Sequence, residues 1–508
     1  MWVFWPALVI GFLASFSTEP AQRRDGCNQW PELVANRSCV TAVQSLAAVR
    51  GTSERALEKD GINGAAIERF VWTDESNDNA PPSAFSVGIV EFDDAGRAWS
   101  DRQVDAVKQM VQSHLASNDT MLVVFVHGWK NDCAACNGNL ACFRETLALL
   151  SAVERDLTPE GERPRDIVGL YVAWRGRSMK VKYADALSAF GRKATADRIG
   201  GRTSDVTSFL AWLNRAKADR GTRALPSLAA LGTRLVLVGH SFGADVLFGA
   251  IAGPLIAEVG ASSVGPQLSA EPFADLTVLV NPAFEASLYR RFALVSKQRF
   301  APGQMPLLVT VQGSNDAVTR FVFPIERALV SIGESTSTQD EYGSSLSAVG
   351  HYRPYFTHTL TERAAARTRP APGADAQATR QAAMARALIQ PTGKTVCGCS
   401  RLTASSQTRA ALMASVKASL DADSPDDHAL RIGEPMTGLV SDLKPLPQVD
   451  PASPLMLVRA TPDVIDGHSG IYRGQFFDFL SNLVVRVALL QSEGARRAVR
   501  ERLRGATQ

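Results

Sequence analysis

Short apolar runs alternate with amphipathic helical stretches through most of this chain, and this alternation constrains the fold more than any other feature. Most of the runs are continuously apolar, which is typical of strands buried on both faces of a parallel sheet. The predicted strands are 84–92, 121–126, 167–174, 234–238, 276–280, 307–311 and 455–459, and the predicted helices include 102–115, 143–153, 242–259, 285–296 and 476–490. The alternation predicts an α/β fold with a doubly wound, mostly parallel sheet.

Two long stretches interrupt this alternation. Residues 175–221 are basic and helical, and they exceed what a minimal connection between two strands requires. We interpret them as a helical insertion that covers the site as a lid. Residues 326–449 include a run rich in Ala, Pro and Arg and are predicted to be a second, partly flexible insertion. Residues 84–508 are thus expected to form one domain, preceded by an appendage at 27–83 that looks helical up to about residue 71.

Residues 1–26 are interpreted as a signal peptide or an N-terminal anchor. The segment from Trp2 to Phe16 is uncharged and apolar, and it is shorter than the roughly 20 residues of a membrane-spanning helix. Ser15 and Ser17 fit a signal-peptidase site. Arg23 and Arg24 follow the apolar run and no basic side chain precedes it, which is an order that resists translocation. We predict export, to the periplasm or outside the cell, with membrane anchoring or a misplaced start codon as alternatives.

Seven cysteines fall into three groups along the chain. In an exported protein, Cys27 with Cys39 and two of the three cysteines of the middle group are candidate disulfides. The spacing of Cys133, Cys136 and Cys142 offers a structural zinc site as an alternative. Such a site needs four ligands, however, and no second pair stands at the usual spacing. We therefore predict no metal.

The charge balance disfavours one class of partner. A formal net charge of +3 over 508 residues produces no field that would concentrate nucleic acid, so we predict no nucleic-acid binding. The basic stretch around Lys180, Lys182 and Arg192 raises membrane-surface contact as a hypothesis, and a solvated helix face is its alternative.

A serine stands at a strand-to-helix junction in the middle of the chain. Ser241 lies in the sequence G-H-S-F-G, directly after the predicted strand 234–238. A sharp turn at this point strains the serine and leaves no room for side chains two positions away, so Gly239 and Gly243 are predicted to support it. The turn lifts the Oγ clear of the sheet and aims a helix N-terminus at a developing oxyanion. We predict that Ser241 is a nucleophile, with an ordinary serine in a tight connection as the alternative.

The predicted strand 121–126 ends in the sequence His127-Gly128-Trp129. Together with the G-x-S-x-G turn, this H-G-W sequence resembles the oxyanion loop of lipases and esterases in the α/β-hydrolase superfamily. The resemblance implies that the backbone amides of Trp129 and Phe242 donate to the oxyanion and that His127 orients the loop. The alternative is that His127 is an ordinary residue at the end of a strand.

Two further runs are similar to stretches of bacterial hydrolases in the same superfamily. They are Y-V-A-W-R-G-R-S at 171–178 and N-P-A-F-E at 281–285, and the matching stretches together extend from about residue 87 to about residue 480. The resemblance implies an α/β-hydrolase fold and leaves the substrate open.

An acid and a histidine follow the serine in the chain order that the resemblance implies. The predicted strand 307–311 leads into a turn that carries Asp316, and the strand 455–459 leads into a loop that carries His468. We predict that His468 takes the proton from Ser241 and that Asp316 fixes the tautomer of His468. The alternative bases are His351 and His358, and the alternative acids are Glu285 and Asp466.

These residues predict a serine hydrolase that cleaves a small-molecule or lipid ester without a cofactor. Thioesters, amides and peptides pass through the same tetrahedral intermediate and remain alternatives. An inactive binding module with this fold is the alternative from another class. The sequence contains neither the H-E-x-x-H motif of metal-dependent hydrolases nor the P-loop of phosphoryl transfer.

Overall fold

A computed structural model of the chain shows a mostly parallel sheet with helices on both faces, which confirms the predicted α/β class. The residues that it describes are 67–72, 83–133, 137–158, 162–176, 185–221, 232–261, 273–300, 304–330, 338–362, 436–437, 441–450, 452–472, 474–485 and 487. The predicted leader at 1–26, Cys27, Cys39, Lys180, Lys182 and the central part of the insertion 326–449 lie outside these residues.

The described strands form one sheet whose core pairs in parallel. The strands are β1 (Ile67–Trp72), β2 (Ser83–Phe92), β3 (Thr120–Val126), β4 (Asp166–Trp174), β5 (Arg234–His240), β6 (Leu276–Val280), β7 (Leu308–Gly313), β8 (His358–Glu362), β9 (Met436–Thr437), β10 (Ser441–Pro445) and β11 (Leu455–Ala460). Their order is β1-β2-β4-β3-β5-β6-β7-β11-β8-β10-β9, and all neighbours from β2 to β8 pair in parallel. The carboxyl ends of these parallel strands therefore share one edge.

Helices cover both faces of this sheet. The described helices are α1 (Asp101–Ser117), α2 (Gly138–Leu157), α3 (Asp185–Ile199), α4 (Asp205–Gly221), α5 (Phe242–Ala261), α6 (Ala286–Val295), α7 (Phe323–Val330), α8 (Gln339–Leu346) and α9 (Gly474–Val484). Alternate residues of β3 point to opposite sides: Leu122 and Val124 join the core with α1, α4 and α5, whereas Val123 and Phe125 join the core with α2 and α9. None of the described helices is both long and apolar enough to cross a membrane.

The sheet extends further at both edges than the sequence predicts. Residues 67–71, which we expected to be helical and part of an appendage, lie in β1 and pair antiparallel with β2. At the other edge, β8, β9 and β10 come from the two ends of the segment 326–449 and continue the sheet beyond β11. The ends of the predicted appendage and insertion are therefore parts of the sheet.

The described part of the segment 175–221 is a packed layer of the fold and not a lid over the site. Phe209, Leu210 and Leu213 of α4 and Ile199 of α3 are buried in the core that also contains α5. Residues 185–221 contribute nothing to the described lining of the cleft beside the candidate nucleophile. The length and basic composition of this segment suggested a lid. Its apolar residues instead pack against α1 and α5, which are distant in the sequence, and the sequence does not show this packing.

Arg192, the one described residue of the three that suggested membrane-surface contact, does not support that hypothesis. Its guanidinium is buried and donates to both carboxylate oxygens of Asp94 at 2.9 and 3.1 Å and to the carbonyl of Arg175 at 2.9 Å. A side chain held in this way cannot also contact lipid headgroups, so Arg192 contributes to the fold.

A buried ion pair fastens β1 to α2. Arg144 donates through Nε and Nη2 to the two carboxylate oxygens of Glu68 at 2.8 and 2.7 Å, and both side chains are almost fully buried. We expect Arg144→Met to lower the free energy of unfolding by about 3 kcal/mol or more, because it leaves a buried carboxylate without its cation. Urea unfolding measures this loss. The double variant Glu68→Gln/Arg144→Met should recover part of it, and equal losses in both variants would contradict this assignment.

Candidate active site

Ser241 sits at the turn between β5 and α5 with a backbone conformation that side chains rarely adopt. Its φ is +58°, in the left-handed region, where a residue with a side chain is strained. Its amide donates to the carbonyl of Val280 at 3.0 Å, which anchors the turn on β6. The sequence folds this way because β5 must reverse directly into the N-terminus of α5.

The two flanking glycines make this turn sterically feasible. A Cβ on Gly239 would lie 2.7 Å from the Cα of Ala244, and a Cβ on Gly243 would lie 2.1 Å from the carbonyl oxygen of Val126. Both distances are far below van der Waals contact, so any larger residue would displace α5 or the end of β3. The structure thus gives a steric reason for both glycines of the G-x-S-x-G sequence.

The structure brings Ser241, His468 and Asp316 together from three separate loops at the carboxyl edge of the sheet. His468 Nε2 lies 2.8 Å from Ser241 Oγ, and His468 Nδ1 lies 2.8 Å from Asp316 Oδ2. An ionised carboxylate only accepts hydrogen bonds, so Nδ1 carries the proton and Nε2 is left to accept from the hydroxyl. This arrangement can pull a proton from Ser241 and hold the resulting imidazolium beside a carboxylate.

Asp316 is held as an ionised, fully buried carboxylate. Its Oδ1 accepts from the amide of Val318 at 2.9 Å, while its Oδ2 accepts from the Thr319 hydroxyl at 2.6 Å and the Gln312 amide at 3.0 Å. Burial alone would raise the pKa of this carboxyl, but the hydrogen bonds from His468, Thr319 and Gln312 outweigh it and hold the pKa well below its usual range. The negative charge needed beside His468 is therefore present at neutral pH.

Two residues that the sequence did not single out as site residues position the histidine loop. Asn281 follows β6 with a φ of +46°, and its Nδ2 donates to the carbonyl of His468 at 2.8 Å. His240 donates through Nε2 to the same carbonyl at 3.0 Å. The Asn281 Oδ1 also accepts from the amide of Gly313 at 2.8 Å, so one side chain joins the histidine loop to the strand before the acid. No local pattern indicates these roles, since every contact joins residues far apart in the chain.

The loop after β3 packs directly against the serine turn. A Cβ on Gly128 would lie 2.7 Å from both the His240 carbonyl oxygen and Ser241 Cβ, so only glycine permits this approach. His127 is buried beside it; its Nε2 accepts from the Trp174 amide at 3.1 Å and its Nδ1 donates to the Gly128 carbonyl at 3.0 Å. His127 thus holds the loop to the end of β4 and takes no part in the contacts of Ser241.

The two proposed oxyanion donors, Trp129 and Phe242, directly follow Gly128 and Ser241, the two residues that pack against each other. Phe242 is the first residue of α5, so its amide has no carbonyl partner within the helix. Trp129 follows Gly128 and lines a cleft of about 470 Å³, together with His240 and His468. The cleft has the size of a small-molecule site.

The competing acids and bases occupy other environments. Thr319 donates its one hydroxyl proton to Asp316, so the His351 Nε2, which lies 3.0 Å from that hydroxyl oxygen, must donate to it. His351 is therefore linked to Asp316 through Thr319. His358 is buried at the start of β8, with Nδ1 2.9 Å from the Thr357 hydroxyl. Glu285 is bound to Lys193 and Arg327. None of these three reaches Ser241 by a described hydrogen bond.

Asp466 is the remaining alternative acid. Its Oδ1 accepts from the side-chain amide of Asn315 at 2.8 Å on the protein surface. Asn315 Oδ1 in turn accepts from the amide of Gly467 at 2.9 Å. Asp466 therefore shapes the loop that carries His468 and forms no described contact with the imidazole.

A second Ser-His-Asp arrangement lies elsewhere in the chain. Ser86 Oγ is 3.1 Å from His114 Nε2, and His114 Nδ1 is 2.6 Å from Asp166 Oδ2. Ser86, however, sits inside β2 between two paired strands and is not at a turn into a helix N-terminus. The group joins β2, α1 and β4, and we interpret it as structural. Variants of Ser86, His114 and Asp166 are therefore matched controls for variants of Ser241, His468 and Asp316.

The zinc alternative fails at Cys142, which is disulfide-bonded and so cannot supply a thiolate. Cys142 is thus in a disulfide, whereas Cys133 is a buried thiol. The pairing of two cysteines within the middle group stays a prediction. Across the described residues, no three His, Cys, Asp or Glu side chains are grouped closely enough to hold a metal ion.

The sequence matches no protein-family model, and it has no significant match among curated proteins.

The contact between Gly128 and Ser241 predicts a large effect from a single methyl group. We expect Gly128→Ala to lower kcat by about a hundredfold, because it pushes the loop that carries Trp129, a proposed oxyanion donor, away from the serine, and a displacement of about 1 Å can cost this much. Steady-state ester hydrolysis measures the change. Gly191→Ala on α3 is the control, since a Cβ there meets nothing within 4 Å. Equal rates in wild type and Gly128→Ala would contradict the proposed loop geometry.

Three buried histidines and one half-buried histidine predict a loss of stability in acid. Burial lowers the pKa of His127, His351 and His358 to about 4 and that of His240 to about 3. Their unfolded pKa is about 6.5, so below that pH the unfolded chain binds more protons than the folded one. Stability is therefore fully present above about pH 6.5 and is lost as the pH falls toward 4.

Urea unfolding between pH 7 and 4.5 tests this expectation. The midpoint should fall steadily with the pH, and His358→Gln should make the fall shallower because one depressed pKa is removed. A midpoint that does not change between pH 7 and 5 would contradict it.

Proposed function

We propose that this protein is a serine hydrolase of the α/β-hydrolase type that cleaves carboxylic esters through an acyl-enzyme on Ser241. The observation that carries the proposal is the geometry of Ser241: a strained serine at a strand-to-helix turn, 2.8 Å from the Nε2 of a histidine whose Nδ1 meets a buried carboxylate. Ester hydrolysis requires a nucleophile, a base and a group that stabilises the protonated base, and these three residues can supply them. The sheet order and the position of the loop after β3 support the same proposal.

The reaction divides into two similar halves. In the first, His468 Nε2 accepts the hydroxyl proton as Ser241 Oγ attacks the ester carbonyl, and the amides of Trp129 and Phe242 stabilise the oxyanion. The imidazolium then gives the proton to the departing alkoxide, and the alcohol leaves. In the second half, His468 accepts a proton from water as the water attacks the acyl carbonyl. The bond between the acyl carbon and Ser241 Oγ then breaks, and the imidazolium returns the proton to Oγ, which releases the acid and restores Ser241. Asp316 stays ionised throughout and stabilises the imidazolium.

The disulfide at Cys142 supports the proposal that the protein acts in an oxidising compartment, because such bonds persist outside the cytosol. The proposed substrate is a small-molecule or lipid ester, and no cofactor is required by this chemistry.

The test is hydrolysis of p-nitrophenyl esters from C2 to C16 by wild type, with thioester and anilide analogues as further arms. We expect turnover of esters, and the chain-length optimum separates an esterase from a lipase. Turnover of the thioester or anilide alone would overturn the ester assignment and retain the nucleophile. No turnover, together with no reaction of Ser241 with a fluorophosphonate, would favour a binding module.

A further inference from the structure

Thr319 binds the carboxylate of Asp316 at two points. It lies in the helical turn Val318–Val322, directly after the loop that carries Asp316, and it is fully buried. Its hydroxyl donates to Asp316 Oδ2 at 2.6 Å, and its amide donates to Oδ1 at 3.3 Å. Thr319 is not among the described residues that line the cleft, so any effect that it has on the reaction passes through Asp316.

The hydrogen bonds of the Thr319 hydroxyl fix the direction of its proton. His351 Nε2 lies 3.0 Å from the hydroxyl oxygen, and Gln312 Nε2 lies 3.1 Å from it. A hydroxyl has one proton and two lone pairs, so these two donors fill its acceptor positions and leave its proton for Asp316. The contact with Asp316 Oδ2 is also the shortest of the three. Thr319 is therefore a fixed donor to the acid.

Thr319 and His468 donate to the same oxygen of Asp316. His468 Nδ1 lies 2.8 Å from Oδ2, beside the Thr319 hydroxyl at 2.6 Å. Each donor on this oxygen stabilises its negative charge and so reduces its attraction for other protons. The Thr319 hydroxyl thus weakens the electrostatic attraction between Asp316 and a protonated His468. It opposes protonation of His468 in the resting enzyme.

The other charges near this pair leave the effect open to measurement. The titratable and charged side chains on the elements packed around Asp316 and His468 are His240, His351, Asp466, Arg320 and Arg459. Burial lowers the pKa of His240 to about 3 and that of His351 to about 4, so both stay neutral above about pH 5. The arginines stay cationic throughout. A change in the pH profile between about pH 5 and 7 therefore reports on His468.

We infer that Thr319 is a positioning residue that limits the basicity of Asp316, so that His468 stays unprotonated, and able to accept from Ser241, to a lower pH than it would without this hydroxyl. The inference rests on the proposed ester hydrolysis and adds the control of its pH range. His351 and Gln312 hold the hydroxyl in place and take no part in proton transfer.

The test is the pH dependence of kcat/KM for the best p-nitrophenyl ester in wild type, Thr319→Val and Thr319→Ser. The measured quantity is the acid midpoint, the pH at which kcat/KM falls to half of its plateau value on the acidic side. Thr310→Val is the matched control, because Thr310 is equally buried in β7 and its hydroxyl has no described contact with Asp316 or His468. Circular dichroism at each pH shows whether the protein is folded.

We expect Thr319→Val to raise the acid midpoint by about half a pH unit or more, because a hydrogen bond to a charged group is lost. Well below the midpoint, kcat/KM relative to its plateau should then be about threefold lower than in wild type. Thr319→Ser keeps the hydroxyl and should keep the wild-type midpoint, as should Thr310→Val. A merely structural role of Thr319 would lower the plateau without moving the midpoint.

A second variant covers the case in which Thr319→Val does not fold, since valine leaves two buried donors without an acceptor. Thr319→Cys retains an acceptor and supplies only a weak donor, so it should raise the midpoint in the same direction by a smaller amount.

An unchanged midpoint in the folded Thr319 variants, with Ser241 still labelled by a fluorophosphonate, would overturn the inference while ester hydrolysis stands. An equal shift in Thr310→Val would also overturn it. Absence of both turnover and Ser241 labelling in wild type would overturn the proposed function and this inference with it, so the two failures are distinguishable.

Discussion

Ser241→Ala is expected to lower ester turnover by a factor of about 10⁵ to 10⁶, and His468→Ala to lower it by nearly as much. Ser241 Oγ is the only atom placed to form the acyl-enzyme in this account, and it cannot lose its proton without the imidazole 2.8 Å away. Because the two residues act as one unit, the double variant should be no worse than either single variant. Steady-state hydrolysis of the best p-nitrophenyl ester measures all three.

The second Ser-His-Asp arrangement supplies the control for this experiment. Ser86→Ala and His114→Ala alter a geometrically similar group that has no strand-to-helix turn and no place in the cleft. Both variants should keep turnover near the wild-type level. Loss of turnover in Ser86→Ala, with activity retained in Ser241→Ala, would move the site to β2 and contradict the proposal.

Asp316→Asn is expected to lower kcat by about 10⁴-fold with a smaller change in KM. The asparagine side chain can face His468 Nδ1 in two orientations: with its NH2 group, which is a donor, or with its carbonyl oxygen, which is a neutral and weaker acceptor. In the first case the proton moves to Nε2, and His468 can no longer accept from Ser241. In the second case the imidazolium loses its counter-charge.

A pH series and a matched variant make this prediction specific. Asp166→Asn changes the corresponding carboxylate of the Ser86 group and should leave kcat unaltered. Activity of Asp316→Asn should recover partly as the pH rises, because hydroxide can then share the role of the base. Circular dichroism shows whether the variant is folded, since Asp316 also accepts from Val318 and Thr319. A folded Asp316→Asn with wild-type kcat would exclude Asp316 as the acid.

The central strands and the three candidate catalytic residues were predictable because the signals are local. Each described core strand differs from its predicted bounds by at most two residues at either end, since a continuous apolar run indicates a strand buried on both faces. Ser241, Asp316 and His468 each follow such a run, and parallel strands bring their carboxyl ends to one edge. The structure accordingly places the His468 side chain within hydrogen-bonding distance of both Ser241 and Asp316.

The remainder depends on partners that are remote in the sequence. Lys193 looks like a solvated charge in a basic helix, but it is buried and contacts Asp245 at 3.2 Å and Glu285 at 3.1 Å. Asn281 positions a loop 187 residues later in the chain. In each case the sequence shows a polar residue of an ordinary type, and only the tertiary fold shows what it contacts.

One measurement tests the central claim most directly: reaction of the full chain with a fluorophosphonate, followed by mass-spectrometric mapping of the modified residue. The account predicts a single adduct on Ser241 in wild type, the same adduct in Ser86→Ala, and almost none in His468→Ala. An adduct on Ser86, or labelling of Ser241 that is as fast in His468→Ala as in wild type, would contradict it.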